Sequence, residues 1–161
     1  MANFTGANVC DVVEIETYQP DVFSFGITSG DSKVSHYITQ TTNDIFRDLR
    51  IKWWPMYKSN IYTDITVLNT AEMVNTKVDL DQFKRAGVYL FLSRYFLPSL
   101  TKFRPEADKD RFERMIEFYS SAYIKEFQTI LEDGVSYDSD AGGSISASER
   151  EPLHGYRRLT R

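Results

Sequence analysis

The sequence predicts a mainly α-helical fold: a small bundle of three main helices with a long interhelical loop and an extended C-terminal arm. Apolar residues recur at steps of three and four along three long segments, which is the spacing of one helix face. Each segment also carries a start or a stop signal. The chain is 42% hydrophobic and 26% charged, as in globular domains that bury their own core. We expect a helical domain over residues 1–135, followed by a loop and the arm over residues 136–161.

The first helix is predicted from Asp31 to Trp54, with Asp31 or Ser32 as its N-cap and Pro55 as its stop. Its apolar stripe consists of Val34, Ile38, Thr41, Ile45, Leu49 and Trp53. Trp54 follows about 100° further around the helix, so the two indoles are not expected to face one narrow core. We therefore expect Trp53 or Trp54 to contact either the N-terminal segment or another subunit.

The second helix is predicted from Asp79 to Leu97. Asp79 and Gln82 have the spacing of a capping box, and Pro98 ends the pattern. The centre of this helix, VYLFL, is apolar on nearly every side. We therefore expect it to be the most buried of the three helices.

The third helix is predicted from Glu106 to Glu132. Acidic residues stand at its N-terminal end, where they complement the helix dipole, and Gly134 follows as a C′ residue. The apolar stripe of this helix consists of Phe112, Met115, Tyr119, Tyr123, Phe127 and Ile130.

Two further segments have weaker patterns. Between the first two helices lies IYTDITVL, residues 61–68, whose alternation of β-branched and polar residues predicts one short strand or hairpin. The whole stretch from Lys58 to Lys77 is long for a helix–helix connection, so we expect it to have a role of its own. The N-terminal part, through TYQPDVFSFG, is predicted as loop with one short helix.

Charge is unevenly distributed along the chain. Residues 150–161 hold four Arg and one Glu, so this end carries +3 and the other 149 residues carry −7. An acidic body argues against a general nucleic-acid binder, because neutralising phosphates requires a broad basic surface. The basic end is suited to docking on an acidic partner.

Signals of catalysis are missing from the sequence. His36 and His154 have no nearby ligand or triad partner, and no phosphate loop, nucleophile elbow or paired-cysteine motif occurs. Cys10 has no neighbouring basic residue, so we expect an inert thiol. As the single cysteine it forms no internal disulfide, which suits a reducing compartment. We expect no enzyme, no catalytic residue and no required cofactor.

Membrane association is not predicted either. No apolar run approaches the roughly 20 residues of a membrane span. The N-terminus, MANFTGANVC, lacks the charged and apolar regions of a signal peptide.

The stretch YDSDAGGSISASERE, from Tyr137 to Glu151, has the spacing of an EF-hand calcium loop. Such a loop places oxygen ligands at positions 1, 3, 5, 7, 9 and 12, with glycine at position 6. In this sequence the candidate calcium ligands are Asp138 at position 1, Asp140 at 3, the Ser144 carbonyl at 7, Ser146 through water at 9, and Glu149 at 12.

Two departures weaken the calcium pattern. Gly142 stands at position 5 and supplies no side-chain ligand, and Pro152 leaves little room for an exiting helix. Affinity would fall in roughly the 10⁻⁴–10⁻³ M class. The alternative is a solvated hinge, because Gly, Ser and Asp are also common turn residues. Either way, the stretch connects the third helix to the arm and would direct it.

The C-terminal arm, LHGYRRLTR, alternates basic and apolar residues. It is either a solubilising end or a segment that orders on a partner, for which Arg, Tyr and Leu are suitable anchors. The candidate partner-binding residues are Leu153, Tyr156, Arg157, Arg158, Leu159 and Arg161.

The order of these segments resembles the head-to-tail adaptor family of tailed bacteriophages, also called head-completion or neck connector proteins. The resemblance rests on TYQPDVFSFG, DIFRDLRIKWWP, RAGVYLFLSRYFLP, a long third helix ending in EDGVSYD, and the terminal RRLTR. It covers the chain from about Thr17 to Arg161, and it is carried by the order of the motifs and the basic C-terminus.

The resemblance implies a structural virion protein, made in the host cytoplasm and built into the neck. It implies a homo-oligomeric ring, typically a dodecamer, that lies beneath the portal protein and above a tail-side neck or tail terminator protein. The C-terminal arm would dock on the portal. DNA would pass through the ring without sequence-specific binding, and an acidic wall that repels phosphate is compatible with that passage. The alternative from another class is a small calcium-binding interaction module with half an EF-hand.

Overall fold

The structure is a computed structural model that describes residues 8–24, 26–100 and 111–151. These residues are mainly helical, so the predicted fold class is confirmed. The helices are α1 (Val12–Tyr18), α2 (Ser32–Lys52), α3 (Trp54–Ile61), α4 (Ile65–Thr70), α5 (Lys84–Leu90), α6 (Leu97–Leu100) and α7 (Arg111–Asp133). Two short strands, β1 (Val135–Ser136) and β2 (Arg150–Glu151), pair antiparallel. Among the described helices, none combines the length and the apolar character that crossing a bilayer requires.

The chain divides into two compact units. Residues 45–82 and 128–151 form the described part of the first, and residues 8–24, 26–44, 83–100 and 111–127 form that of the second. This division differs from the expected boundary at residue 135. Residues 135–138 are buried in the first unit, because β1 and the apolar side chains of Val135 and Tyr137 pack into that unit.

The first predicted helix is confirmed as α2, and every residue of its predicted stripe is at least 95% buried. Asp31 accepts the N–H of Lys33 at 2.9 Å and so caps the helix. The expectation that Pro55 ends the helical region is wrong. The break lies at Trp53, and Pro55 stands in the first turn of α3, where the N–H that proline lacks has no intrahelical partner.

The second predicted helix is more irregular than its sequence pattern indicates. It begins with the 3₁₀ turn Leu80–Phe83, continues as α5, and becomes a π-helical segment at Phe91–Phe96 before α6. Pro98 does not end it. Leu97 donates its N–H to Leu92, five residues back, so the regular ladder is already interrupted where proline lacks a donor.

The centre of this second segment is buried as predicted, with Val88, Phe91 and Leu92 fully inaccessible to solvent. Gly87 allows the N-terminal segment to approach closely, since an added Cβ would lie 2.7 Å from Cγ1 of Val9. The N–H of Val9 in turn donates to the Thr42 hydroxyl at 3.0 Å. The short N-terminal helix expected from the sequence is confirmed as α1.

The third predicted helix is confirmed over Arg111–Asp133; its expected start at Glu106 lies outside the described residues. Gly134 has φ +101° and donates to the Ile130 carbonyl at 3.0 Å, as a C′ glycine does. In the predicted stripe, Tyr119, Tyr123, Phe127 and Ile130 are buried, and Phe112 and Met115 are partly buried.

The strand or hairpin expected at residues 61–68 is wrong, because this stretch contains α4. The Asp64 carboxylate accepts the N–H of Thr66 at 2.8 Å and caps the helix. Ile65 and Val67 remain 70% and 42% exposed. Without a buried sheet face, alternation of β-branched residues does not favour a strand over this capped turn.

Candidate functional site

A three-stranded backbone ladder holds the end of α7. Tyr137 forms an antiparallel bridge with Val78, while β1 pairs with β2 on the other side. The N–H of Asp138 donates to the Lys77 carbonyl at 2.8 Å, and the N–H of Tyr137 donates to the Glu149 carbonyl at 3.1 Å. Residues 135–138 are therefore the central strand, with Val78 paired on one side and β2 on the other.

The ladder lies against an aromatic cluster formed by Trp53, Trp54, Tyr57 and Tyr137. The ring of Trp53 is 4.4 Å from that of Tyr57, and both indoles lie 5.5 Å from the Tyr137 ring. The helix break at Trp53 allows both indoles to pack in the same core. The expectation that Trp53 and Trp54 could not both face one core is therefore wrong. Trp53 and Trp54 keep only 1% and 6% of their surface exposed, so they pack inside this unit and leave little for a neighbouring subunit.

The stretch from Lys58 to Lys77, whose role the sequence left open, supports the ladder. The indole N–H of Trp54 donates to the Ala71 carbonyl at 3.2 Å. The N–H of Val74 donates to the Tyr137 hydroxyl at 3.2 Å, and the Lys77 ammonium donates to the Ser139 carbonyl at 2.7 Å. These contacts connect the aromatic cluster to the start of the acidic loop at residues 138–149.

The first half of the acidic loop folds around Asp138, which is 4% exposed. Its two carboxylate oxygens accept the N–H groups of Gly142 and Gly143 at 2.9 and 2.8 Å. Asp140, which is exposed, also accepts the N–H of Gly142, at 2.8 Å. Gly143 has φ +76°, the conformation for which the sixth position of a calcium loop requires glycine.

The second half folds around Glu149, which is 6% exposed. One carboxylate oxygen accepts the N–H and hydroxyl of Ser139 at 2.7 and 2.9 Å, and the other accepts those of Ser146, both at 2.9 Å. The bonds from Ser146, followed by those from Ser139, lower the pKa of Glu149 to about 2. Glu149 is therefore ionised at neutral pH and ties both ends of the loop together.

The candidate calcium ligands are brought close together. Carboxylate oxygens of Asp138, Asp140 and Glu149 lie within 4.8 Å of one another, a spacing that one cation can span. Ser144 is exposed, and the Ser146 hydroxyl donates to Glu149. The exiting helix is reduced to the 3₁₀ turn Ala147–Glu149 before β2. Most of these carboxylate oxygens already accept N–H donors, so hydrogen bonds within the turns hold the loop in this geometry.

Acidification should open the loop. Because folding lowers the pKa of Glu149, its contribution to stability is fully present above the ordinary value of 4.5 and is lost as the pH falls through about 2. We expect amide hydrogen exchange of Ser139 and Ser146, followed by NMR and divided by the intrinsic exchange rate at each pH, to accelerate across this window. At pH 7, Glu149→Gln should accelerate it already, because the amide offers one acceptor oxygen where the carboxylate offers two.

The matched control for this experiment is Glu72→Gln, which removes the same charge at an exposed position of the same unit. It should leave both exchange rates unchanged. Equal protection of Ser139 and Ser146 in wild type and Glu149→Gln would show that Glu149 does not hold the loop.

The remaining candidate residues either lie away from the acidic loop or fall outside the described part of the chain. His36 is exposed, and His154 lies outside the described residues, as do the arm residues Leu153, Tyr156, Arg157, Arg158, Leu159 and Arg161. Cys10 is 2% exposed, and burial, together with Glu14 and Asp11, raises the pKa of its thiol to about 12. That shift agrees with the inert thiol predicted from the sequence.

Sequence reasoning missed two groups of residues. The sequence pattern predicts Tyr137 at the start of the loop, whereas in the structure its ring completes the aromatic cluster. An open cavity elsewhere is lined by Gln19, Arg111 and Arg114 among others. The spacing of Arg111 and Arg114, three positions apart on one helix, was the available signal.

Comparisons of the chain with protein-family models, with curated proteins and with solved structures find no match.

Proposed function

We propose that this protein is a structural subunit of a bacteriophage neck, a head-to-tail adaptor without catalytic activity. It would form a ring beneath the portal protein, link it to the tail-side neck or terminator protein, and enclose the DNA channel of the virion. The observation that carries the proposal is the anchored origin of the C-terminal arm. β2 pairs with β1, and the strand that contains β1 also bonds to residues 77–79. The last described residue, Glu151, therefore lies in a paired strand.

A fixed origin matters for an arm that docks on a partner. An arm that leaves from a rigid strand explores fewer directions than one that leaves from a flexible end, so it loses less conformational entropy on binding. Two contacts support this ladder: Glu149 accepts the N–H of Ser139 beside the central strand, and Trp53 packs on Tyr137 within it.

Exposed apolar residues give a second line of support. Between residues 51 and 74, six large hydrophobic side chains are at least 40% exposed: Ile51, Met56, Ile61, Ile65, Val67 and Val74. Exposed apolar side chains that adjoin one another are typical of proteins that assemble with neighbours, and these six are the candidates for such a surface. A ring subunit needs such a surface for the adjacent copy.

The test of the arm is binding to the portal protein of the phage that encodes this chain, measured by co-elution in size-exclusion chromatography and by electron microscopy. The full chain should join the portal as a ring. Removal of residues 152–161 should abolish binding, and Arg157→Gln combined with Arg158→Gln should weaken it by at least about tenfold, since each charge-assisted contact contributes roughly 1.5–3 kcal/mol.

The matched control is Lys33→Gln combined with Lys125→Gln, which removes two exposed positive charges from α2 and α7 and should leave portal binding unchanged. Circular dichroism of each variant establishes that it is folded. Undiminished portal binding after removal of residues 152–161 would show that these residues do not dock on the portal. If the full chain does not associate with the portal at all, the adaptor function is refuted.

The second candidate is a calcium-binding interaction module, favoured by the convergence of Asp138, Asp140 and Glu149. Calorimetric titration with calcium distinguishes it. Asp140→Asn keeps an oxygen that can accept the Gly142 N–H but removes a charged ligand, so it should weaken a calcium site, whereas Glu72→Gln should not. Identical heats for all three proteins would exclude the module.

A further inference from the structure

An open cavity in the second unit has no role in the proposed neck assembly. Its volume is about 500 Å³, within the range of roughly 300–1,000 Å³ that is typical of ligand sites. The described residues that line it are Gln19, Arg111, Arg114, Met115, Phe118 and Tyr119. Residues 111–119, in the N-terminal half of α7, form one wall of the cavity. The other wall is Gln19, the residue that follows α1.

Arg111 and Arg114 are neighbours on one face of α7, because residues three positions apart lie side by side on a helix. Their like charges repel each other. Among the described residues no carboxylate or other acceptor contacts either guanidinium, whereas Arg85 and Arg94 lie near Glu126 and Asp44. Although Glu113 and Glu117 are exposed on the same helix, the charged residues among the described lining are the two arginines, which an anion bound in the cavity would neutralise.

Gln19 adds a further donor to the cavity. The Tyr119 hydroxyl donates to the side-chain oxygen of Gln19 at 2.5 Å. Tyr119 is 7% exposed, and burial raises the pKa of its phenol, which keeps the proton available for this bond. Because the Gln19 side-chain oxygen accepts this bond, the groups left to bind a ligand are the Gln19 amide nitrogen and the guanidiniums of Arg111 and Arg114. All three are hydrogen-bond donors.

The apolar part of the cavity comes from Phe118 and Met115. Phe118 is 65% exposed and contacts the Tyr119 ring edge to face at 5.2 Å, while Met115 is half-buried. Arg, Met and aromatic residues are the types enriched at protein interfaces. The cavity opens to solvent and does not enclose its contents, so it suits a segment that remains attached to a larger partner.

We propose that this cavity binds an acidic segment of a protein partner. A carboxylate of an Asp or Glu pairs with Arg111 and Arg114, whose planar guanidiniums match carboxylate geometry in bidentate contacts. A neighbouring apolar side chain packs on Phe118 and Met115. The described lining residues all belong to the second unit, and the proposal does not depend on whether the chain forms a ring.

The probe is a fluorescein-labelled acidic hexapeptide of sequence DFEDLE, titrated with the full-length protein and followed by fluorescence anisotropy. The same peptide with Asn and Gln in place of its acids is the uncharged probe, and inorganic phosphate is the competitor. We expect saturable binding of the acidic peptide alone, weakened as salt rises from 50 to 500 mM because the charges are partly exposed. Chemical shift changes in NMR should map to the cavity residues.

Three variants localise the binding. Arg111→Gln combined with Arg114→Gln should lower affinity by at least about tenfold, because charge-assisted contacts of roughly 1.5–3 kcal/mol are lost. Gln19→Glu should have a similar effect while keeping the bond from Tyr119, since the new carboxylate accepts that proton and pairs with the arginines itself. Lys33→Gln is the control: it removes one exposed positive charge outside the cavity and should leave affinity unchanged.

Several results would overturn the proposal. One is the absence of saturable peptide binding up to millimolar protein, and another is an equal loss of affinity in Lys33→Gln, which would indicate nonspecific attraction. Equal affinity for the charged and the uncharged peptide would show that the arginines do not contribute to binding. Displacement of the peptide by phosphate at low millimolar concentration would show a general anion site with no preference for an acidic peptide.

Discussion

Replacing Trp53 with alanine should lower the free energy of unfolding by about 3–5 kcal/mol, the cost of emptying a well-packed aromatic site. The indole is 1% exposed and lies 4.4 Å from the Tyr57 ring and 5.5 Å from that of Tyr137. Its loss leaves a cavity at the junction of α3 and the ladder. Urea unfolding followed by far-ultraviolet circular dichroism measures the change without relying on tryptophan fluorescence.

Two controls accompany this substitution. Trp53→Phe keeps an aromatic ring in the cluster and should cost less than half as much. Ile51→Ala, at a side chain that is 65% exposed, should change stability by no more than about 0.5 kcal/mol. A loss below about 1 kcal/mol for Trp53→Ala would contradict the packing of the aromatic cluster.

Replacing Gly87 with alanine should destabilise the protein by about 1–3 kcal/mol, the usual cost of overpacking a core. Alanine would otherwise favour the helix by about 1 kcal/mol. The added Cβ, however, would lie 2.7 Å from Cγ1 of Val9, a fully buried β-branched side chain that cannot rotate away freely. The clash therefore outweighs the gain in helix propensity.

A double-mutant cycle separates the two effects. Val9→Ala removes both γ-carbons, so in that background Gly87→Ala should be neutral or stabilising, and the coupling energy should exceed 1 kcal/mol. Thermal and urea unfolding of the four proteins provide the measurement. Additive effects of the two substitutions would show that Val9 does not pack against Gly87.

Regular periodicity was sufficient to predict the main helices. The stripe from Val34 to Trp53 is buried at every position, and Gly134 adopts the left-handed conformation expected of a C′ residue. These features depend on local spacing, which a sequence displays directly. The same holds for the acidic loop, where Asp138, Asp140 and Glu149 converge as their spacing suggests.

Features that depend on tertiary context could not be predicted in the same way. Pro55 stands in the first turn of one helix and Pro98 within another, where the regular backbone hydrogen bonds are already interrupted and a missing N–H is tolerated. The acidic loop is closed by backbone donors and is supported by Lys77 from a distant part of the chain. Propensity carries no information about such partners.

The ladder beside the acidic loop has a consequence for the order of folding. Its supporting bonds join Val74 to Tyr137 and Lys77 to Ser139, pairs that are 63 and 62 residues apart. Contacts between such distant residues form slowly, because the intervening chain must first be brought together. During synthesis, β2 can pair only after residue 151 has left the ribosome. The central strand at residues 135–138 therefore keeps one edge unpaired in every nascent chain that ends before residue 151.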